Sequence, residues 1–263
     1  MNIKTTTYLL FAIIQLSAFN VIANTNEEKG LAIAIEVDKR DNGFGDSTAD
    51  MTMELRNKQG DTSTRQIRIK TLEVTGDGDK SMSIFDQPAD VKGTAFLTFS
   101  HALKADEQWM YLPSIKRVKR INSKNKSGPF MGSEFAFEDI SSQEIEKYTY
   151  KYLRDEKLNG VNCFVIERIP TYKHSGYTRQ VIWINKVEYR PEQTVFYDRK
   201  NTLLKTLSLS GYQKYLGKYW RADQLLMTNH QNEKSTTLNW SNYKFKTGLK
   251  NKDFSRNSLK RAK

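Results

Sequence analysis

Three histidines, His101, His174 and His230, lie far apart in the chain, and none has a second ligand residue at metal-binding spacing, so the sequence supports no metal site. Cys163 is the only cysteine. It sits in an apolar run, residues 161–166, where a thiol acts as a small filler, and without a second cysteine the fold has no internal disulfide. There is no Gly-x-Ser-x-Gly elbow and no phosphate-cradling glycine loop. For Asp86, Asp90, Glu138 and Asp139, hydrogen bonds that fix loops are a better account than acid catalysis. No catalytic residue, metal or cofactor is therefore expected. What the chain has in quantity is apolar contact area: 13 Phe, 13 Tyr, 7 Met and 4 Trp. Such side chains hold a greasy ligand by adaptable contact rather than by directional bonds.

The elements that must position these side chains are mostly strands. Asn26 can cap a helix with Glu27 and Glu28 in its first turn and Leu31, Ala34, Ile35 and Asp38 as its stripe, ending near Asn42-Gly43. The period then changes to two. Met51, Met53 and Leu55 alternate with Thr52, Glu54 and Arg56, and Arg65, Ile67 and Ile69 return after a turn at residues 57–61. Further strands are expected at 81–86, 94–99, 108–112, 116–121, 148–154, 161–169, 178–185, 193–198, 203–209, 218–221, 224–228 and 235–245. Only residues 138–147 look helical a second time, with a cap at 141–144. Two helices cannot cover both faces of a parallel sheet. The expected fold is mainly β: a single curled antiparallel sheet forming a half-open, incomplete β-barrel, with an N-terminal helix and a short helix or loop over the open side. An outer-membrane barrel is disfavoured by the Lys-Arg-Ala-Lys terminus, the missing aromatic girdle and the long interruptions between strands.

Residues 1–23 read as a signal peptide: Lys4, then an apolar stretch over residues 8–22, then small-residue cleavage spacing. That stretch, roughly 15 residues, falls short of the roughly 20 a spanning helix needs. Residues 24–263 are then one soluble domain outside the cytoplasm. The net charge of +12 would suggest nucleic acid inside a cell. In an exported chain it points to solubility, or to anionic lipid or acidic partners.

Alternation nominates Leu97 with Phe99, Trp109 with Tyr111, and Trp183, Leu203, Leu207 and Met227 as side chains lining an apolar cavity. Ordinary core packing is the competing reading for each. Residues 122–137 differ: Gly128, Pro129 and Gly132 deny them regular structure, while Phe130, Met131, Phe135 and Phe137 give them apolar teeth, as a mobile lid or cargo-contact loop would have. Just before them, Lys116, Arg117, Lys119 and Arg120 concentrate four charges in five positions, either a solvated strand or a contact for anionic membrane or an acidic partner.

Residues 85–99 (FDQPADVKGTAFLTF) closely resemble a block of the LolA-like outer-membrane lipoprotein-sorting proteins. So does the ordered run DEQWMYLP (106–113), KRVKRI (116–121), GPFMGSEF (128–135) and FED (137–139). A weaker match at 197–206 has Asn201 where the family usually has glycine, and Asn tolerates the same backbone region. The resemblance implies a half-open barrel in the periplasm that binds acyl chains or related amphiphiles, and a large inner-membrane exporter of the RND type as partner. The function it suggests is a monomeric, non-enzymatic carrier of lipid or of an acylated protein between the inner and outer membranes, with transient membrane contact. The rivals are a structural adaptor of an export complex with no ligand, and an envelope hydrolase with polar titratable groups inside the pocket. A carrier answers a physical need, because a 16-carbon chain exposed to water costs on the order of 12 kcal/mol at about 0.8 kcal/mol per methylene.

Overall fold

A computed structural model describes residues 25–262; the expected signal peptide, residues 1–23, lies outside them. The first helix, α1 (Asn26–Asp41), is capped by Thr25. The Thr25 hydroxyl accepts from the Glu28 N–H at 3.1 Å while the Glu28 carboxylate accepts from the Thr25 N–H at 2.8 Å. This reciprocal pair makes Thr25 the cap and Asn26 the first helical residue, which corrects the expected Asn26 cap.

Thirteen strands follow: β1 (Asp46–Arg56), β2 (Thr62–Leu72), β3 (Lys80–Gln87), β4 (Ala95–Phe99), β5 (Glu107–Leu112), β6 (Arg117–Arg120), β7 (Tyr148–Leu158), β8 (Val161–Pro170), β9 (Arg179–Asn185), β10 (Pro191–Tyr197), β11 (Leu203–Tyr215), β12 (Tyr219–Asn229) and β13 (Ser235–Phe245). They form one antiparallel sheet in the order β6-β5-β4-β3-β2-β1-β13-β12-β11-β10-β9-β8-β7, with β6 and β7 as free edges. The sheet is curled but not closed into a barrel, as the alternation predicted. Residues 218–221 and 224–228, expected as separate strands, are one continuous strand, β12.

Two expected helical features change. Residues 138–147 are not a helix: short 3₁₀ turns at Phe137–Ile140 and Ile145–Lys147 flank an extended link. The link bonds outward instead, with Ser142 N–H donating to Ser100 Oγ at 2.9 Å and Gln108 Nε2 to Ser141 Oγ at 3.2 Å. A C-terminal helix that periodicity did not reveal, α2 (Arg256–Arg261), packs on β4, β5 and β6.

Cross-strand register defines an inner and an outer face. Inside, Met51, Met53, Ile67, Phe85, Phe96, Met227 and Leu238 form the largest core, closed by Phe130 and Phe135 of the irregular segment. Outside, Met82, Ile84, Ala95, Leu97 and Trp109 lie under Phe254 and Leu259 of the C-terminal segment. The helix α1 packs on the inner face of the other half, where Ile33 and Ala34 meet Tyr148, Tyr150, Ile166, Ile182 and Ile184. Its buried face is Gly30, Ile33 and Ala34, whereas Leu31 and Ile35 are 40% and 47% exposed. Gly30 decides this rotation: a Cβ there would lie 2.7 Å from the β7 backbone at Lys151 and Tyr152, so only glycine allows the helix this close.

Candidate functional site

Between α1 and the inner face of the sheet lies a solvent-connected cavity of about 1210 Å³. Its walls are Tyr150, Ile166, Ile182 and Ile184 from β7–β9, Leu207 and Leu209 from β11, Ala222 and Leu225 from β12, and Trp240 from β13; Ala34 and Val37 form the roof. The mouth is rimmed by residues 73–77, Ala102, residues 188–191 and residues 217–218. All of these lie at one end of the sheet, because Asp46, Leu72, Lys80 and Phe99 stand side by side across β1–β4, as do Tyr215 with Tyr219 and Ile184 with Pro191.

The lining is mainly apolar but includes Arg168, Thr194, Asp38, Asp79 and Glu144, and the charged rim is largely internally paired. Asp41 pairs with Arg221, and Lys218 Nζ donates to Asn42 O. Arg40 donates to Val187 O at 2.7 Å and lies over the Tyr189 ring. Arg190 is stacked between Tyr212 and Trp220, at 4.1 and 4.3 Å from their centroids, and Trp220 Nε1 donates to Glu188 at 2.7 Å. Burial pushes the Asp79 carboxyl up to about 7, against the Val74 N–H that favours its anion. Burial raises Glu144 in the same way, whereas the hydrogen bond from His101 holds Asp77 down at about 2. Trp240 lines the cavity, while its Nε1 is shut off from solvent with no acceptor among the described residues.

The opposite end of the half-barrel is plugged. Phe130 stacks against Phe85, Phe96 and Phe137, with centroids 5.0 to 6.1 Å apart, and is almost fully buried. Charged groups lock the plug. Asp139 accepts from Lys205 Nζ at 2.8 Å and from the Tyr177 hydroxyl at 2.9 Å. Glu138 accepts from Gly176 N–H, Ser175 and Tyr172 within 2.9 Å. These carboxylates fix loops, whereas Asp86 joins the neighbouring strands β3 and β2 with a two-point bond from Arg68. The apolar teeth of residues 122–137, expected as a mobile lid or cargo-contact loop, are thus packed into the core at this end as a plug.

Of the side chains nominated from alternation, Leu207 alone is on the cavity wall. Leu97, Phe99, Trp109 and Tyr111 face outward into the cluster under α2, with Leu97, Phe99 and Trp109 beside a separate cleft of about 540 Å³. Trp183 is also on the outer face, with Cys163, Val165 and Val181. Phe130, Met131, Phe135, Phe137 and Met227 belong to the plugged core, and Leu203 is 40% exposed at the start of β11. The signal that could have found the true walls is the isoleucine set 166, 182 and 184, cross-strand partners or next neighbours on one face.

Lys116, Arg117, Lys119 and Arg120 are exposed on the edge strand and its preceding turn, and Arg120 is 3.5 Å from Glu107. Arg117 and Lys119 share a face with Met110, and Arg120 shares the other with Trp109, so they form no single-sided patch. Charges on an edge strand also deter pairing with a second sheet. The histidines are separate: His101 Nδ1 is 2.7 Å from Asp77, and His230 Nε2 is 2.8 Å from Thr206. No three His, Cys, Asp or Glu side chains group to hold a metal ion among the described residues.

A family model with the description "Uncharacterized protein" matches residues 77–261. No curated protein matches the chain. Among solved structures, a domain from Vibrio parahaemolyticus described as an outer membrane lipoprotein-sorting protein is 61% identical, with a TM-score of 0.88 over 89% of this chain and 100% of that one. A DUF1329 family protein from Desulfovibrio piger is 29% identical (TM-score 0.85, 90% of this chain and 100% of that one). The LolA superfamily protein NE2245 from Nitrosomonas europaea, at 19% identity and a TM-score of 0.70 over 90% of this chain and 100% of that one, shares the fold.

Proposed function

Because the chain belongs to the outer membrane lipoprotein-sorting family, with its LolA-like fold, we propose that it is a periplasmic, non-enzymatic carrier that shelters the acyl chains of a lipid or acylated protein in the cavity beneath α1. The observation that carries this reading is the cavity itself: about 1210 Å³, walled by isoleucine, leucine and tryptophan and open to solvent at one end. Ligand pockets of drug size occupy roughly 300–1,000 Å³, so this one has room for more than a single small molecule. Its lining suits a flexible chain, since aliphatic walls lower the free energy of each methylene without fixing its orientation. An inner-membrane exporter is the proposed partner, on the strength of the family resemblance, and transfer between the two membranes is the proposed task.

Leu207 and Leu225 face the cavity from neighbouring strands. Replacing each by Trp should narrow the cavity where the two strands meet and weaken fluorescent fatty-acid binding. Protein recovered from membranes in mild detergent should carry lipid in native mass spectrometry. Undiminished binding by the Leu207→Trp/Leu225→Trp variant would remove the cavity as the site, and an empty chain that co-purifies with a transporter would mark a structural adaptor instead.

A further inference from the structure

Three of the most exposed large apolar side chains occupy loop tips around the cavity mouth. Leu103, between β4 and β5, is 89% exposed; Val187, between β9 and β10, is 74% exposed; Leu216, between β11 and β12, is 55% exposed. Each is the immediate neighbour of a residue on the cavity rim: Ala102, Glu188 and Gly217. All three loops leave the same end of the sheet. Leu216 is the most telling. Its φ is +50° and that of Gly217 is +68°, a turn conformation that favours Asn or Gly at the first position and disfavours leucine. Leu216 thus occupies a backbone position that disfavours leucine and still leaves more than half of its surface in solvent.

Charge is gathered beside this end. Residues 244–262 carry seven Lys or Arg against Asp253 alone, six of the twelve net positive charges. The basic segment starts at the mouth, where Lys246 N–H donates to Asp46 O. It then crosses β3, where Lys80 Nζ donates to Asn251 at 2.7 Å, and ends with α2 on β4, β5 and β6. Lys104 and Lys218 are exposed beside two of the aliphatic tips. The carboxylates of the rim are mostly occupied: Asp41 by Arg221, Glu73 by the N–H groups of Gly43 and Gly45, Asp77 by His101 and Glu188 by Trp220, with Glu146 left exposed.

We propose that the open end of the half-barrel docks on a bilayer surface rich in anionic phospholipid, with Leu103, Val187 and Leu216 entering the headgroup layer and the basic C-terminal segment lying against its phosphates. Aliphatic tips with flanking lysines are the combination that binds such an interface, apolar area and charge attraction adding to one another. Docking in this orientation turns the cavity mouth toward the lipid, so an acyl chain passes from membrane to cavity without crossing water. The proposal rests on the carrier reading for its purpose and on the rim for its evidence.

The test is vesicle flotation of the purified protein with neutral phosphatidylcholine vesicles and with vesicles containing about 30% phosphatidylglycerol. The wild type should float with the anionic vesicles and be released at high salt. Leu103→Ser/Val187→Ser/Leu216→Asn should bind about a hundredfold more weakly, each inserted aliphatic group contributing on the order of tenfold or less. Its melting temperature should not fall, since Asn suits the turn better than Leu. Lys250→Glu/Lys252→Glu/Lys260→Glu/Arg261→Glu should lose the preference for anionic lipid. Failure of the wild type to float with anionic vesicles, or undiminished flotation of the tip variant, overturns the proposal. So does tight binding of an acidic protein by a wild type that ignores vesicles. A wild type that floats but binds no soluble fatty acid would support docking while removing the carrier reading.

Discussion

Gly30→Ala is a one-methyl perturbation whose two effects on stability have opposite signs. Within an isolated helix, alanine is favoured over glycine by about 0.8–1.0 kcal/mol. In the folded protein the new carbon would lie 2.7 Å from backbone atoms of Lys151 and Tyr152, where ordinary contact begins at 3.4 Å. No rotamer change can move those atoms, so α1 must retreat by about 0.7 Å or β7 must bend, and overpacking of this kind costs about 1–3 kcal/mol. The contacts of Ile33 and Ala34 with Tyr150, Ile166 and Ile182 loosen at the same time. The net expectation is a loss of up to about 2 kcal/mol in urea unfolding, faster hydrogen exchange along α1 and weaker binding of a fluorescent fatty acid. A peptide spanning residues 25–42 should meanwhile gain helicity from the same change, which separates the two contributions. A variant protein about 1 kcal/mol more stable than wild type, with α1 exchange unchanged, would refute the close approach and with it the account of how the cavity is roofed.

Phe130→Ala should destabilise the protein by about 3–5 kcal/mol, measured by denaturant unfolding, because the ring is almost fully buried among Phe85, Phe96 and Phe137; a loss under about 1 kcal/mol would mean the plug is not packed as described. Asp79 has a folded-state pKa near 7, raised by burial from the usual carboxylate range, so between about pH 4 and pH 7 the folded state binds more protons than the unfolded chain. Its contribution therefore favours folding in acid and is lost as the pH rises toward 7. Asp79→Asn should flatten that part of the stability profile measured by urea unfolding, and an identical profile in the variant would count against the burial.

The curled antiparallel sheet was legible because period two is written plainly where one face is wet: Met51 and Met53 turn inward, and Glu54 and Thr52 do not. The same rule fails where both faces are dry. In β3–β5 the inner set, Phe85, Phe96 and Met110, and the outer set, Met82, Leu97 and Trp109, are equally apolar, because a polar-looking C-terminal segment hides Phe254 and Leu259 and covers the outside. In β8 and β9, Val165, Val181 and Trp183 outside match Ile166, Ile182 and Ile184 inside. Choosing the bulkiest residues therefore selected the face away from the cavity at Trp109 and Trp183. The rotation of α1 was illegible for a different reason. The contact is set by Gly30, whose contribution is the absence of a side chain, and a search for apolar stripes gives such a residue no weight. The teeth at 130–137 were recognisable as unfit for solvent, but only the long-range partners Lys205, Tyr177 and Asn229 fix them as a plug.

The two ends of α1 are held with very different strength, and that difference decides where the cavity can open. Toward its N-terminal half the helix is seated on the β7 backbone through Gly30 and on the isoleucine wall through Ile33 and Ala34. Its C-terminal end is tied to the rim by the exposed Asp41–Arg221 pair and by hydrogen bonds through Arg40 and Lys218. An exposed ion pair contributes roughly 0–1 kcal/mol and each such hydrogen bond about 1 kcal/mol, so these polar ties together are worth a few kcal/mol, while just past the helix Phe44, buried against Tyr219 and Phe245, anchors the chain. Burying a 16-carbon acyl chain is worth on the order of 12 kcal/mol. That figure is for a chain leaving water; one taken from the bilayer has already left it, so little of that energy is available to move α1, and an opening beside Val187 and Leu216 has to draw on the contacts that the rim makes with the membrane.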